Sequence, residues 1–196
     1  MKIIGLTGPT GSGKSLLGDF LSGQGVPVID ADEVYHSLLV PPSPCLSALT
    51  DAFGDGILHS DGTLNRAALS EIVFHDGEKL ALLNRTVLGF VLERIREMIG
   101  ELARTGHGAV AVDAPTLIES GFHKECDTVI SVLSPAALRI ERIKERDGLS
   151  DEKANARVSA QRPDEFYISH SHYVLTNTGD VSELFQKAEE LFRSLF

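Results

Sequence analysis

A chain of 196 residues can fill one sizeable core and still carry subdomains between its core elements. With 42% hydrophobic and 23% charged residues it departs from disordered, fibrous and membrane-spanning compositions, so a cytoplasmic location without export or membrane anchoring is expected. The formal net charge of −10 opposes a polynucleotide backbone, which sets nucleic acid aside as a partner and requires concentrated local positive potential for any anionic substrate.

In chain order, Lys2 to Thr7 (KIIGLT) is a short apolar run leading into glycine-rich sequence, which suits a buried parallel strand. Lys14 to about Gln24 reads as a helix and VPVID, ending at Asp30, as a second strand. A proline-rich loop, Pro41 to Pro44, and a turn-like GDGILHSDG follow, with helical stretches RAALSEIVF and LALLNRTVLGFVLERIREMIGELA. AVAVD (Ala109 to Asp113), TVISVL (Thr128 to Leu133) and YVLT (Tyr173 to Thr176) complete five strands. All are continuously apolar, as strands covered by helices on both faces are.

Ser134 followed by Pro135 marks a helix start with proline at the first helical position. The last segment places Val181, Leu184, Phe185, Ala188, Leu191, Phe192 and Leu195 on one helical stripe, with Asp180 as N-cap and Glu183 completing a capping-box-like pair. Strands alternating with helices predict an α/β fold with a five-stranded parallel sheet flanked by helices. The stretch between the second and third strands is too long for one crossover and is expected to be a helical insertion.

Gly8 to Ser15 reads GPTGSGKS, a full match to GxxxxGK(S/T) between a predicted strand and a helix. Glycines let the backbone wrap so that amides converge on anionic oxygens at the positive end of the helix dipole. Lys14 then neutralises the β- and γ-phosphates of a nucleoside triphosphate, and the Ser15 hydroxyl is placed to ligate magnesium.

Two acidic groups follow predicted strands, where an open α/β sheet presents its ligands. In DAD, Asp32 is the better candidate for a base accepting a proton from an attacking hydroxyl; the alternative for Asp30 and Asp32 is capping of the next helix. Asp113 occupies the position of a Walker-B-like acid behind the magnesium, unless it serves as a cap. In ALRIERIKERDG, Arg139, Arg142 and Arg146 share a helix face. Glu141 and Glu145 allow a merely solvated face, but after a P-loop core such arginines suit a mobile lid that stabilises charge on a transferring phosphoryl group. The two cysteines, Cys45 and Cys126, lack the spacing of a disulfide framework or zinc site; His170 and His172 have a spacing that could hold metal but no third ligand nearby, and read as a surface loop.

These motifs together resemble the dephospho-CoA kinase family. The similarity lies in GLTGPTGSGKS, VPVIDADEV, FGDGILHSDGTLNRAALSEIVF, VDAPTLIESGF, RIERIKERDGLS followed by Gln161, and YVLTNTGD, in the family's order over nearly the whole chain. Leu88-Gly89 stands where the family often has His-Pro, Pro9-Thr10 replaces a common Gly-Ile, and Thr116 stands where leucine is usual.

The resemblance implies transfer of the γ-phosphoryl of ATP to the ribose 3′-hydroxyl of dephospho-CoA, with magnesium. It implies Asp32, Lys14, Arg142 and Arg146 as catalytic residues. The nucleotide would be held by Gly8, Gly11, Ser12, Gly13, Lys14, Ser15 and Leu16, with Asn177 near the adenine. Asp32, Arg66 and Asp113 would serve the acceptor. Residues 1–32, 105–134 and 164–196 would form the kinase core, 33–104 the coenzyme-A-binding insertion and 135–163 the lid. The rivals are a nucleoside, nucleotide or sugar kinase on the same core, a nucleotide-dependent switch, which would need the absent NKxD segment, and a scaffold.

Overall fold

The computed structural model describes residues 1–74 and 76–196, which divide into two compact units: Met1–Ile29 with Leu102–Phe196, and Asp30–Glu101. The first is built on a five-stranded sheet of order β2-β3-β1-β4-β5. Its strands are β1 (Lys2–Thr7), β2 (Val28–Asp30), β3 (Ala109–Asp113), β4 (Thr128–Leu133) and β5 (Tyr173–Thr176). β1 runs parallel to β3, with Ile4 opposite Ala111, and to β4, with Ile4 opposite Thr128; β4 runs parallel to β5.

β3 and β4 are buried along their whole length, which is why they read as unbroken apolar runs. β2 is shorter than VPVID suggests. Pro27 has no N–H to give a ladder, and only its carbonyl is used, accepting from the Ala111 amide at 2.8 Å.

Helices α1 (Lys14–Gly23) and α9 (Val181–Leu195) pack on this sheet. Leu17 and Leu21 of the first and Leu184 and Ala188 of the second join Ile4, Leu6, Ile130 and Val132 in one core. Each of these fully buried leucine, isoleucine and valine side chains contributes about 1.5–3 kcal/mol. Asp180 caps α9 through the Ser182 and Glu183 amides, as the sequence predicts. The reciprocal half of a capping box does not form, because the Glu183 carboxylate accepts from Thr178 Oγ1 at 2.7 Å and Lys187 Nζ at 2.6 Å.

Residues 135–163 lie in the first unit and carry α6 (Ala136–Asp147) and α7 (Asp151–Ser159); α8 (Asp164–Ser169) follows. Ile143, Ala154 and Val158 make a small core between α6 and α7. Pro135 is the N-cap of α6 rather than its first helical residue, and the Ser134 hydroxyl accepts from Arg142 instead of capping.

The second unit is helical: α2 (Ala31–Ser37), α3 (Pro44–Phe53), α4 (Arg66–Phe74) and α5, which begins at Gly77 and runs on to Arg104. Its core is Leu39, Cys45, Leu49, Ile57, Leu69 and Val73. Pro44, read from sequence as loop, opens α3, where its missing N–H costs nothing, and the Ser43 hydroxyl accepts from the Leu46 amide. The GDGILHSDG segment turns back on itself through a bridge between Leu58 and Leu64. No helix of the described residues is long and apolar enough to cross a membrane.

Candidate active site

The loop Gly8–Ser15 joins β1 to α1, as its motif requires. Gly13 adopts φ 94°, a left-handed conformation, and a Cβ there would collide with the Asn177 amide nitrogen. Asn177, only 1% exposed, donates from Nδ2 to the Ser12 carbonyl at 2.9 Å. Arg142 donates from Nη1 to the Gly11 carbonyl at 2.9 Å and to the Ser12 carbonyl at 3.4 Å. Its Nη2 reaches Asn177 Oδ1 at 3.1 Å.

This clamp has a chemical consequence. In a trans peptide the carbonyl and the following N–H point in opposite directions, so holding the Ser12 carbonyl against Arg142 and Asn177 turns the Gly13 N–H the other way. Gln161 supports the same loop, accepting from the Thr10 amide at 3.0 Å.

Lys14 opens α1, and its Nζ pairs with Asp113 Oδ1 at the end of β3. Asp113 is 5% exposed. The carboxylate therefore fixes the direction of an ammonium that a phosphate would also attract. Ser15 is exposed in the first turn of α1, and Leu16 beside it is half-buried. A hydroxyl there suits a magnesium ion, which takes few protein ligands and keeps its bonds to water and substrate phosphates. The Ser12 hydroxyl is buried and has no hydrogen-bond partner among the described residues.

In the second unit, Asp30 is the N-cap of α2, accepting from the Asp32 amide at 2.7 Å and the Glu33 amide at 3.1 Å. That leaves the Asp32 carboxylate, exposed in the first helical turn, uninvolved in capping. Arg66 opens α4 with its guanidinium 6.0 Å from the Tyr35 ring centre. Burial raises the pKa of Tyr35, and Arg66 opposes that shift.

Of the residues expected from sequence, the first unit brings together Gly11, Ser12, Gly13, Lys14, Asp113, Arg142 and Asn177. Arg146 is placed differently, more than half exposed and bonded to Asp147 at 2.7 and 3.0 Å, with Arg157 on the same carboxylate. Sequence reasoning gave Ser134 only a place at a helix start and Gln161 no role of its own; the two hold Arg142 and the Thr10 amide. The cue for Gln161 was its place at the end of the lid-like segment.

The dephospho-CoA kinase family model matches residues 2–183. A dephospho-CoA kinase of Corynebacterium efficiens is 35% identical over 192 residues, covering 98% of this chain and 96% of the relative. Among solved structures, a Thermus thermophilus protein superposes with TM-score 0.81 at 32% identity, covering 100% of this chain and 98% of that one. The dephospho-CoA kinase of Campylobacter jejuni gives TM-score 0.74 at 26% identity with the same coverage. With the P-loop joining β1 to α1 at the carboxyl edge of a parallel sheet as expected, and with these matches, the chain belongs to the dephospho-CoA kinase family.

Proposed function

We propose that this protein transfers the γ-phosphoryl group of ATP to the ribose 3′-hydroxyl of dephospho-CoA, giving coenzyme A and ADP. The family is one of phosphotransferases with an alcohol acceptor, and ATP is the phosphoryl donor. The observation that carries the reading is the loop Gly8–Ser15, tied at its Ser12 carbonyl by Arg142 and Asn177 and at Lys14 by Asp113.

In this reading Lys14 and the loop amides, that of Gly13 among them, hold the β- and γ-phosphates, and charge building on the transferring group is met by positive potential already in position. The acceptor hydroxyl gives its proton to the Asp32 carboxylate as its oxygen bonds to the γ-phosphorus. The bond from that phosphorus to the bridging oxygen breaks, and the electron pair leaves with ADP. A magnesium ion, held by the Ser15 hydroxyl together with the phosphates, would supply further neutralisation of the β- and γ-oxygens. Arg66 and the 33–104 segment serve the acceptor. Residues 135–163 serve as lid, with Arg142 and Arg146 as its cations. A cytoplasmic location belongs to the same proposal and is supported by the composition.

A coupled ATP-consumption assay with dephospho-CoA, adenosine, AMP and sugars as acceptors tests this. Turnover with dephospho-CoA at least a hundredfold above the others is expected. Preference for another alcohol would keep the phosphoryl chemistry and overturn the acceptor.

A further inference from the structure

Arg139 differs from the other arginines of α6. It is 7% exposed, and its Nε and Nη1 have no hydrogen-bond partner among the described residues. No carboxylate of those residues pairs with it. Arg142, three residues on, bonds to four groups, and Arg146 has Asp147.

A buried guanidinium without a counter-ion is strongly unfavourable, and an apolar side chain of similar volume would fill the space better. Position adds to the penalty, because Arg139 lies in the first turn of α6, where the positive end of the helix dipole disfavours a cation. An anion would relieve both.

The location points to which anion. A Cβ at Gly11 would lie 2.9 Å from the Arg139 carbonyl oxygen and 3.1 Å from its Cα, so the P-loop rests directly on the backbone of Arg139. Helical side chains lean toward the helix N-terminus. The N-terminus of α6 follows the carboxyl end of β4, the edge at which a parallel sheet presents its ligands. The backbone of Arg139 therefore lies beside the phosphate loop at the ligand edge of the sheet, and its guanidinium is near enough to Tyr167 to oppose the rise that burial causes in that hydroxyl's pKa.

We infer that Arg139 is a further phosphate-binding residue, whose Nε and Nη1 donors pair with a phosphate oxygen of the triphosphate seated in Gly8–Ser15. No bond is made or broken at Arg139; it supplies hydrogen bonds and charge. The inference rests on the proposed function and deepens it, and it gives a physical reason for keeping a costly arginine where methionine would stabilise the protein.

The test compares wild type with Arg139→Met and Arg139→Gln. Tm is measured without ligand, with magnesium and ATP, and with inorganic tripolyphosphate; kcat and KM are measured for ATP and dephospho-CoA. Without ligand, Arg139→Met should melt above wild type, because the unpaired buried charge is gone. Its Tm gain from ATP and from tripolyphosphate should shrink. Its kcat/KM for ATP should fall about ten- to a hundredfold, the worth of a charge-assisted hydrogen bond, with KM for dephospho-CoA unchanged.

A purely structural Arg139 gives the reverse, a lower ligand-free Tm with wild-type ATP stabilisation and KM, and that result would overturn the inference. If Arg139→Met does not fold, Arg139→Gln decides by its ATP-dependent Tm gain and KM. A wild-type protein that ATP does not stabilise overturns the proposed function and this inference together. Equal ATP stabilisation of wild type and variant overturns the inference alone.

Discussion

Arg142 Nη2 donates to Asn177 Oδ1 at 3.1 Å, fastening α6 to the residue that follows β5. The same two side chains share the Ser12 carbonyl, so the shape of the phosphate loop is set from outside by a guanidinium and an amide. Arg142→Ala should leave those carbonyls and Ser134 short of donors and raise KM for ATP tenfold or more, since a lost charge-assisted hydrogen bond costs about 1.5–3 kcal/mol. Arg142→Lys should recover little, because one ammonium cannot reproduce a fork that spans four acceptors. Steady-state kinetics with varied ATP checks both; an unchanged KM in the alanine variant would remove Arg142 from nucleotide binding.

Asp113 and Lys14 are a nearly buried pair, and losing one partner strands the other. Asp113→Ala should lower stability by on the order of 3 kcal/mol. In a chain of this length that corresponds to a fall in Tm of roughly 6–12 °C, measured by calorimetry. Lys14→Ala should remove the main counter-charge to the γ-phosphate and cut kcat by at least a hundredfold.

Neighbouring aspartates should separate function from stability. Asp32→Asn removes the proposed base and should reduce kcat by roughly 10² to 10⁴ with little change in Tm. Asp30→Ala removes a cap worth about 1 kcal/mol and should show mainly in Tm. Near-normal turnover in Asp32→Asn would sink the assignment of the base.

The two cysteines should be inert in the folded protein. Burial pushes the Cys126 thiol up to about 12, with Glu125 and Asp127 adding to the shift, and burial also raises Cys45. Because the thiolate is the reactive species, iodoacetamide at pH 8 should label neither until denaturant is added. Labelling of the native protein, followed by mass spectrometry, would contradict this.

Asp180 gives a pH dependence of known sign. Hydrogen bonds from the Ser182 hydroxyl and amide, then from the Glu183 amide, lower its pKa. Its stabilising effect is complete above the unfolded carboxylate pKa near 4 and is lost as pH falls through the lower folded value. Asp180→Asn keeps an acceptor at the cap but cannot titrate, so its Tm should fall less than that of wild type between pH 5 and 2.

Much of this was legible in the sequence because the inner strands β3 and β4 are covered on both faces, whereas the edge strand β5, expected from sequence to be covered as well, is exposed except at Leu175. Strands such as AVAVD and TVISVL have no solvent side to alternate with, and their unbroken apolar runs are bounded by glycine, proline or aspartate. The P-loop was legible for a similar reason, since its chemistry is local. The clamp was not, because Arg142 meets Gly11 and Asn177 meets Ser12 only after the chain has folded back across the sheet. Nor could the sequence distinguish a buried Arg139 from a solvated Arg146, as both lie on one stripe of α6 with glutamates nearby. The α3 helix was hidden by Pro44, a residue that reads as loop until it is seen in a first turn.

The hydrogen bond between Asn177 and Ser12 links positions 165 residues apart. A growing polypeptide on the ribosome therefore displays its glycine-rich loop early but cannot brace it until the last strand has emerged. Contacts of such separation form late and slow the search for the native state. A product cut short before residue 177 would carry the complete nucleotide signature and yet grip nucleotide poorly, so Asn177 must be made before the cell gains a working catalyst.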